Sequence, residues 1–267
     1  MINIFYEFIL KRMKVLKFVD NPNIPVKPLS MALVDGRIEK ILENKLANMG
    51  VRVIKTEKYK GLYEAISFHP DILYHHLGGN KIIYAPGTSD RVNIYLESLG
   101  FLLIPGNTRL GGKYPFNIAY NVARVGNVAF HNLKYTDPVL ANELISEGVE
   151  LVHVNQGYAK CSISVVDDSS IITSDPGIAK AAEKKGLDVL LTETEEEIKL
   201  PGVKYGFIGG SSGLIDERKW LLTGDILNLK SSEKIIQFLQ KKSIDIVYLP
   251  GEPVVDIGSI IPLMTYE

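Results

Sequence analysis

The residues equipped for chemistry fall in a few short stretches. His69-Pro70-Asp71 sets an imidazole and a carboxylate two positions apart, the composition of an acid/base pair whose acid orients the ring. The same residues also spell a turn. Tyr158, Lys160 and Cys161 gather a phenol, an ammonium and the single cysteine of the chain. A neighbouring ammonium lowers a thiol pKa. In a strand, however, adjacent side chains point to opposite faces, so a Lys160 facing a pocket would send Cys161 into the core as an inert thiol.

Other stretches match known motifs only in part. Gly209-Gly210-Ser211-Ser212-Gly213 has the letters of a nucleophile elbow, which needs a following helix and a later histidine. The next run is strand-like and the last histidine is His153, so the hydrolase reading fails. Its glycines suit a wide hairpin or close approach of a ligand, and its amides an anion. Gly106 to Lys113 misses the phosphate-loop spacing by one residue, and Tyr114 replaces the Ser or Thr. His75 and His76 diverge if they lie in a strand, which disfavours a shared metal. Glu193 and Glu195 to Glu197 read as a solvated run.

The bulk composition narrows the class. The chain has 267 residues, 46% hydrophobic and 23% charged, as in a globular protein with a core. Lys+Arg 30 against Asp+Glu 31 gives no field for nucleic acid or an anionic membrane. One cysteine excludes an intrachain disulfide and a multi-thiolate zinc site, and a reducing cytoplasm is the expected location. Met1 to Leu10 is mostly apolar but interrupted by Glu7, with Lys11, Arg12 and Lys14 after it. That order fits neither a signal peptide nor a span of about twenty apolar residues. Met1–Arg12 reads as an upstream extension of a start at Met13, or as a helix packed on a neighbour.

The elements that must position these residues are written as a repeat. An apolar–x–apolar–apolar run begins at Val51, Phe101, Val149, Leu187 and Ile244. Gly50, Gly100, Gly148 and Gly186 precede the first four and Ser243 the fifth, where a helix ends in a left-handed residue before a strand. Upstream of each lies an amphipathic stripe: Ile38/Ile41/Leu42/Met49, Val92/Tyr95/Leu96/Leu99, Leu140/Ala141/Leu144/Ile145, Ile178/Ala181/Ala182 and Ile235/Ile236/Phe238/Leu239. Asp137-Pro138 and Asp175-Pro176 mark helix starts.

Two strand-like runs precede each helix. They are Ala65–Phe68 with Lys81–Tyr84, Ile118–Val125 with Val128–Phe130, Ser162–Val166 with Ile171–Ile172, and Tyr205–Ile208 with Lys219–Leu222. The first unit has only Met31–Val34, and the chain ends in a strand-like Asp256–Leu263 with no helix after it. That last strand is expected to complete the first unit, so that five strand–strand–helix–strand units close around an axis. Their unequal spacing argues against a solenoid.

With these units, the stretches Tyr114-Pro115-Phe116-Asn117-Ile118-Ala119-Tyr120-Asn121-Val122-Ala123, Gln156-Gly157-Tyr158-Ala159-Lys160-Cys161-Ser162 and Asp256–Leu263 resemble the pentein fold of guanidino-group-modifying enzymes. The resemblance covers about residues 31–263. It implies an α/β fold, a five-bladed β/α propeller of ββαβ repeats closed by the C-terminal strand. The expected layout is residues 1–30 as N-terminal extension and first strand, and 31–267 as one domain. Its repeats run over about 31–60 with 254–263, 61–105, 114–154, 157–192 and 203–250.

In the enzymes of that fold a C-terminal cysteine attacks the guanidinium carbon, a histidine is acid/base, and two acidic residues hold the substrate cation. Here Gly258-Ser259 stands where the cysteine is expected, and Tyr158 where the histidine is expected. A serine without a base is a much poorer nucleophile than a thiolate. The resemblance therefore implies a protein that binds a small polar, guanidino or amino-acid-like ligand at the axis without that chemistry.

The site would comprise His69 and Asp71 as catalytic candidates, with Asn117, Asn121, Tyr158, Lys160, Ser211, Ser212, Asp256 and Ser259 as ligand contacts. No cofactor and no metal is expected. The alternatives are a divergent guanidino-modifying hydrolase or transferase using His69 and Asp71, and a non-catalytic protein- or ribosome-binding module. Expected partners are a small molecule and conceivably further copies of the chain, with no nucleic acid and no membrane.

Overall fold

The computed structural model describes residues 15–267, so the extension Met1–Arg12 and the start at Met13 lie outside the described residues. After β1 (Leu16–Phe18) come β2 (Leu29–Val34), α1 (Lys40–Asn48) and β3 (Arg52–Lys55). The second group is α2 (Pro70–Leu73), β4 (Tyr74–Gly78), β5 (Lys81–Tyr84), α3 (Asp90–Ser98) and β6 (Leu102–Pro105). The third is β7 (Ala123–Val125), β8 (Val128–His131), α4 (Pro138–Ser146) and β9 (Glu150–His153). The fourth is α5 (Ala159–Ser162), β10 (Ile163–Asp167), β11 (Ser170–Thr173), α6 (Pro176–Glu183) and β12 (Asp188–Leu191). The fifth is β13 (Ser212–Asp216), β14 (Lys219–Leu222), α7 (Ser232–Lys241) and β15 (Asp245–Val247), and the chain ends in β16 (Ile261–Tyr266).

Four groups form separate three-stranded sheets, each an antiparallel hairpin plus a parallel third strand reached through the helix. The remaining sheet has the order β1-β16-β2-β3: β16 lies antiparallel to β2, and β2 parallel to β3. The C-terminal strand thus supplies the first strand of the N-terminal unit, as the sequence predicts. Closure is by this exchange of a strand and not by one continuous closed sheet.

Each long helix buries an i,i+4 pair: Leu42/Leu46, Val92/Leu96, Leu140/Leu144, Ile178/Ala182 and Ile235/Leu239. The stripe edges Ile41, Tyr95 and Ile145 remain exposed. Asp137 accepts from the amides of Val139 and Leu140, and Asp175 from that of Ile178, so both expected caps form. Gly50, Gly100, Gly148, Gly186 and Ser243 all have positive φ, between 57° and 95°, at the same helix-to-strand corner.

Several predicted first strands are displaced. The second unit's is β4, not Ala65–Phe68, which holds a 3-10 turn at Glu64–Ile66. Ile118–Val125 is a strand only from Ala123, and the fifth unit's first strand is β13, not Tyr205–Ile208. The C-terminal strand begins at Ile261 and not at Asp256. In each case the segment once read as strand approaches the axis as a turn. Over residues 118–122 and 257–260 the chain is buried without alternation, so period-2 reading does not apply there.

Among the described residues no helix is long and apolar enough to cross a membrane. His75 and His131 are buried in the hairpins, and burial depresses their pKa values from 6.5 to about 3 and about 4. The unfolded chain then binds protons that the folded chain refuses, so stability falls as pH drops from about 6.5 towards 4. For His75 alone the loss at pH 4 is on the order of 3 kcal/mol. Calorimetric melting between pH 7 and 4 should show it, with a flatter slope in His75→Gln; equal slopes would refute the assignment.

Candidate active site at the axis

The five units meet at the axis through a closed circle of hydrogen bonds. The Lys160 amide donates to the Asn121 carbonyl (3.2 Å), and the Gly210 amide to the Cys161 carbonyl (2.8 Å). The Ser259 amide donates to the Gly210 carbonyl (2.8 Å), and the Asp71 amide to the Gly258 carbonyl (3.3 Å). Asn121 Nδ2 closes the circle on the Asp71 carbonyl at 3.1 Å. Each unit contributes the short turn that precedes its first strand. The side chains borne on these turns are packed together away from water.

Asp71, Cys161, Lys160 and Ser259 form the first cluster. Asp71 Oδ2 lies 3.1 Å from Cys161 Sγ and 2.9 Å from Ser259 Oγ, while its Oδ1 has no partner. Lys160 Nζ donates to Ser259 Oγ at 2.9 Å, and that hydroxyl also lies 2.8 Å from the Gly209 carbonyl. Asn121 Oδ1 accepts from the amides of Lys160 and Cys161, and its Nδ2 reaches the Cys161 sulfur. Burial, then Asp71 and Asp256, push the Cys161 thiol well above its usual 9.0. Burial pushes the Lys160 ammonium down against the pull of Asp71.

The second cluster surrounds His69, which is fully buried with both ring nitrogens unpartnered. Its Nε2 lies 3.8 Å from Asp35 Oδ2 and its Nδ1 3.9 Å from Asp256 Oδ1. Asp35 is held by Arg37 through two contacts, Nε to Oδ1 at 3.0 Å and Nη2 to Oδ2 at 2.7 Å. Asp256 accepts from the amides of Phe207 (2.8 Å) and Gly258 (2.9 Å). Burial still pushes its carboxyl up, opposed by His69 and by those amides. Two glycines make this packing fit. A Cβ at Gly258 (φ +64°) would sit 2.4 Å from the His69 Cβ, and one at Gly210 2.0 Å from Asp256 Oδ1.

A cavity of about 370 Å³ opens onto His69, Cys161 and Asp256, walled by Tyr63, Tyr158 and Phe207. Tyr158 Oη donates to Asn117 Oδ1 at 3.1 Å and lies 3.3 Å from Tyr63 Oη; burial raises both phenols. Of the ten residues singled out from sequence, His69, Asp71, Asn121, Lys160, Asp256 and Ser259 converge at the axis. Tyr158 forms the adjoining wall, and the buried Asn117 accepts from its hydroxyl. Ser211 and Ser212 are bonded elsewhere, to the carbonyls of Phe207 and Ile208, and Ser212 Oγ lies 2.7 Å from Ser164 Oγ.

Lys160 and Cys161 do not lie in a strand, contrary to expectation, and are not parted to opposite faces. Residues 159–162 are a helical turn, so neighbouring side chains diverge by about a hundred degrees and both reach the axis. Asp35, Arg37, Tyr63 and Phe207 escaped the sequence reading. Asp35-x-Arg37 is a local acid–base spacing that could have marked the pair; Tyr63 and Phe207 carry no such signal.

The profile of a family of unknown function, DUF6873, matches residues 33–261. No curated protein matches the sequence. Inosamine-phosphate amidinotransferase StrB1 from Streptomyces griseus superposes with a TM-score of 0.54 at 12% identity, over 88% of this chain and 91% of that one. Agmatine deiminase of C. jejuni gives 0.53 at 10%, over 88% and 90%. DDAH from Pseudomonas aeruginosa gives 0.52 at 8%, over 83% and 92%. At such identities the likeness is one of fold, the pentein fold that the repeats imply.

Gly258→Ala should lower stability by about 1–3 kcal/mol, through the left-handed φ and the clash with His69. Chemical denaturation measures this. A loss below a few tenths of a kcal/mol would show that the packing of His69 on Gly258 is not constraining.

Proposed function

We propose, for a chain that belongs to the family of unknown function DUF6873 and carries the pentein fold, that the axial cavity binds a small planar cation of guanidino or amino-acid type. The chemistry of a C-terminal cysteine plays no part in this binding. The carrying observation is unbalanced buried charge. Asp35 is matched by Arg37, whereas Asp71 and Asp256 have beside them only the buried ammonium of Lys160 and the imidazole of His69, which makes no hydrogen bond to either. A buried carboxylate without a counter-charge is costly, and an organic cation beside Asp256 supplies that charge. The Tyr63, Tyr158 and Phe207 rings border the same space and suit a cation.

Ligand binding in this fold does not require the thiol. DDAH from Pseudomonas aeruginosa is complexed with citrulline as a cysteine-to-serine mutant, and C. jejuni agmatine deiminase holds substrate as one. Ser259 corresponds to such a replacement within the resemblance. Its hydroxyl lies among Lys160, Asp71 and the Gly209 carbonyl, a shape-filling role.

A second reading, a divergent hydrolase or transferase using His69 and Asp71, is favoured by one observation. Cys161 and His69 face the same cavity, with the thiol 3.1 Å from Asp71. Product release from arginine or agmatine that vanishes in His69→Ala would establish turnover, and its absence would leave binding alone.

A thermal-shift series with arginine, agmatine and citrulline tests the binding reading. A ligand at about a hundred times its Kd adds about 2.7 kcal/mol to stability. The shift should vanish in Asp256→Asn. It should also weaken on acidification at a higher pH than an ordinary carboxylate allows, because the raised Asp256 pKa removes the negative charge earlier. No shift with any of the three sinks the guanidino ligand, and a full shift in Asp256→Asn sinks the site.

A further inference from the structure

The geometry points to a divalent transition-metal site formed by His69, Asp71 and Cys161, with its open position towards the axial cavity. One ligand atom from each residue lies within 4.8 Å of the others, and all three side chains are buried. Bonds of about 2.0–2.3 Å in a tetrahedron place ligand atoms about 3.4 Å apart. The 3.1 Å contact between Cys161 Sγ and Asp71 Oδ2 is close to that spacing, and the His69 ligand atom lies within 4.8 Å of those of the other two residues.

Unmet hydrogen-bonding capacity is found on two of these groups. Both nitrogens of His69 and Oδ1 of Asp71 lack partners although buried, a costly arrangement that coordination through one imidazole nitrogen relieves in part. Nitrogen, oxygen and sulfur donors together select a borderline ion of the zinc and cobalt class over magnesium or calcium. Three protein ligands leave one position for water or another small ligand. His69 and Cys161 line the cavity, so that position is reachable.

Charge supports the assignment. With the thiol deprotonated on the metal, Cys161, Asp71 and Asp256 carry three negative charges and Lys160 one positive; a divalent ion makes the site neutral. Asn121, which holds Asp71 and the Cys161 turn from behind, is the outer support such ligands need. A metal-loaded site retains no uncompensated carboxylate, so metal and organic cation compete. The metal inference does not rest on the cation reading, and its test contains no organic ligand.

Co²⁺ is the probe, added to chelator-treated full-length protein without an affinity tag. One equivalent should bind, with a thiolate-to-cobalt charge-transfer band in the near ultraviolet and strong visible bands of four-coordination. The chain has one cysteine, so that band can come only from Cys161. It should disappear in Cys161→Ser, and His69→Gln and Asp71→Asn should each weaken binding by more than about tenfold. Circular dichroism identifies variants that fold. Zn²⁺ should in addition protect Cys161 of the wild type from alkylation, a readout that needs no variant. Failure of folded wild type to bind Co²⁺ stoichiometrically, binding without the charge-transfer band, or alkylation unchanged by Zn²⁺ would each overturn the site.

Discussion

Everything at the centre of this protein depends on the closed circle of hydrogen bonds through Asp71, Asn121, Lys160–Cys161, Gly210 and Gly258–Ser259. Each unit must donate one link and accept another, and a buried peptide group left out of the circle would cost as much as a lost hydrogen bond. The C-terminal strand is therefore indispensable twice over. It fills the first-strand position beside β2, and its preceding turn carries the link between Gly210 and Asp71. The circle fixes backbones, and the side chains next to those links have nowhere to point except towards one another. The candidate site is in this sense a consequence of closure.

That confinement makes charge the next constraint. A polar side chain admitted to the axis has no water to satisfy it, so every one must be matched from within. Some are: Arg37 pairs with Asp35, Asn121 spends its amide on three backbone groups and a sulfur, and Ser259 bridges Lys160 and Asp71. Others are not, and the unmatched ones are adjacent: His69, one oxygen of Asp71, and the excess negative charge around Asp256. His69, Cys161 and Asp256 line the cavity, and Asp71 is joined to it through its contact with Cys161. An organic cation and a divalent metal are two solutions of this one electrostatic problem, differing in whether Cys161 keeps its proton.

The fold was legible in the sequence because its signals are local and repeated. Gly50, Gly100, Gly148, Gly186 and Ser243 mark a corner that needs positive φ, Asp137 and Asp175 mark helix starts, and Ile261–Leu263 stands as a strand without a helix. The axial turns were not legible in the same way. Ala65–Phe68 and Tyr205–Ile208 are apolar enough to read as strand, yet the burial of Ala65, Ile66 and Ile208 comes from lying inside the ring and not from a sheet face. Cys161 shows the consequence. Reading its segment as strand assigns it to the core, whereas one helical turn rotates it onto Asp71. His69, Asp71, Asn121, Asp256 and Ser259 could be placed because the repeat itself locates the axis. Asp35, Tyr63 and Phe207 reach the site only by tertiary folding.

The stability of the ring explains how such a site is tolerated. Five helices bury i,i+4 apolar pairs against five sheets, and the large, fully buried side chains of Trp220 and Phe130 belong to these layers and not to the site. The surplus can hold a left-handed Ser259 (φ +73°), an unpartnered imidazole and two carboxylates in a dry interior. A ring that served only as packing would be more stable with apolar residues at these positions, since replacing buried ionic groups by well-fitted hydrophobic ones is often neutral or stabilising. Here the cost falls on three groups within reach of one point, His69, Asp71 and Cys161, beside a cavity able to admit what would satisfy them. Unpartnered groups occur elsewhere in the fold too, at Ser30, His75 and Ser170 among others, but only at the axis do they stand beside a cavity that either proposed occupant could enter.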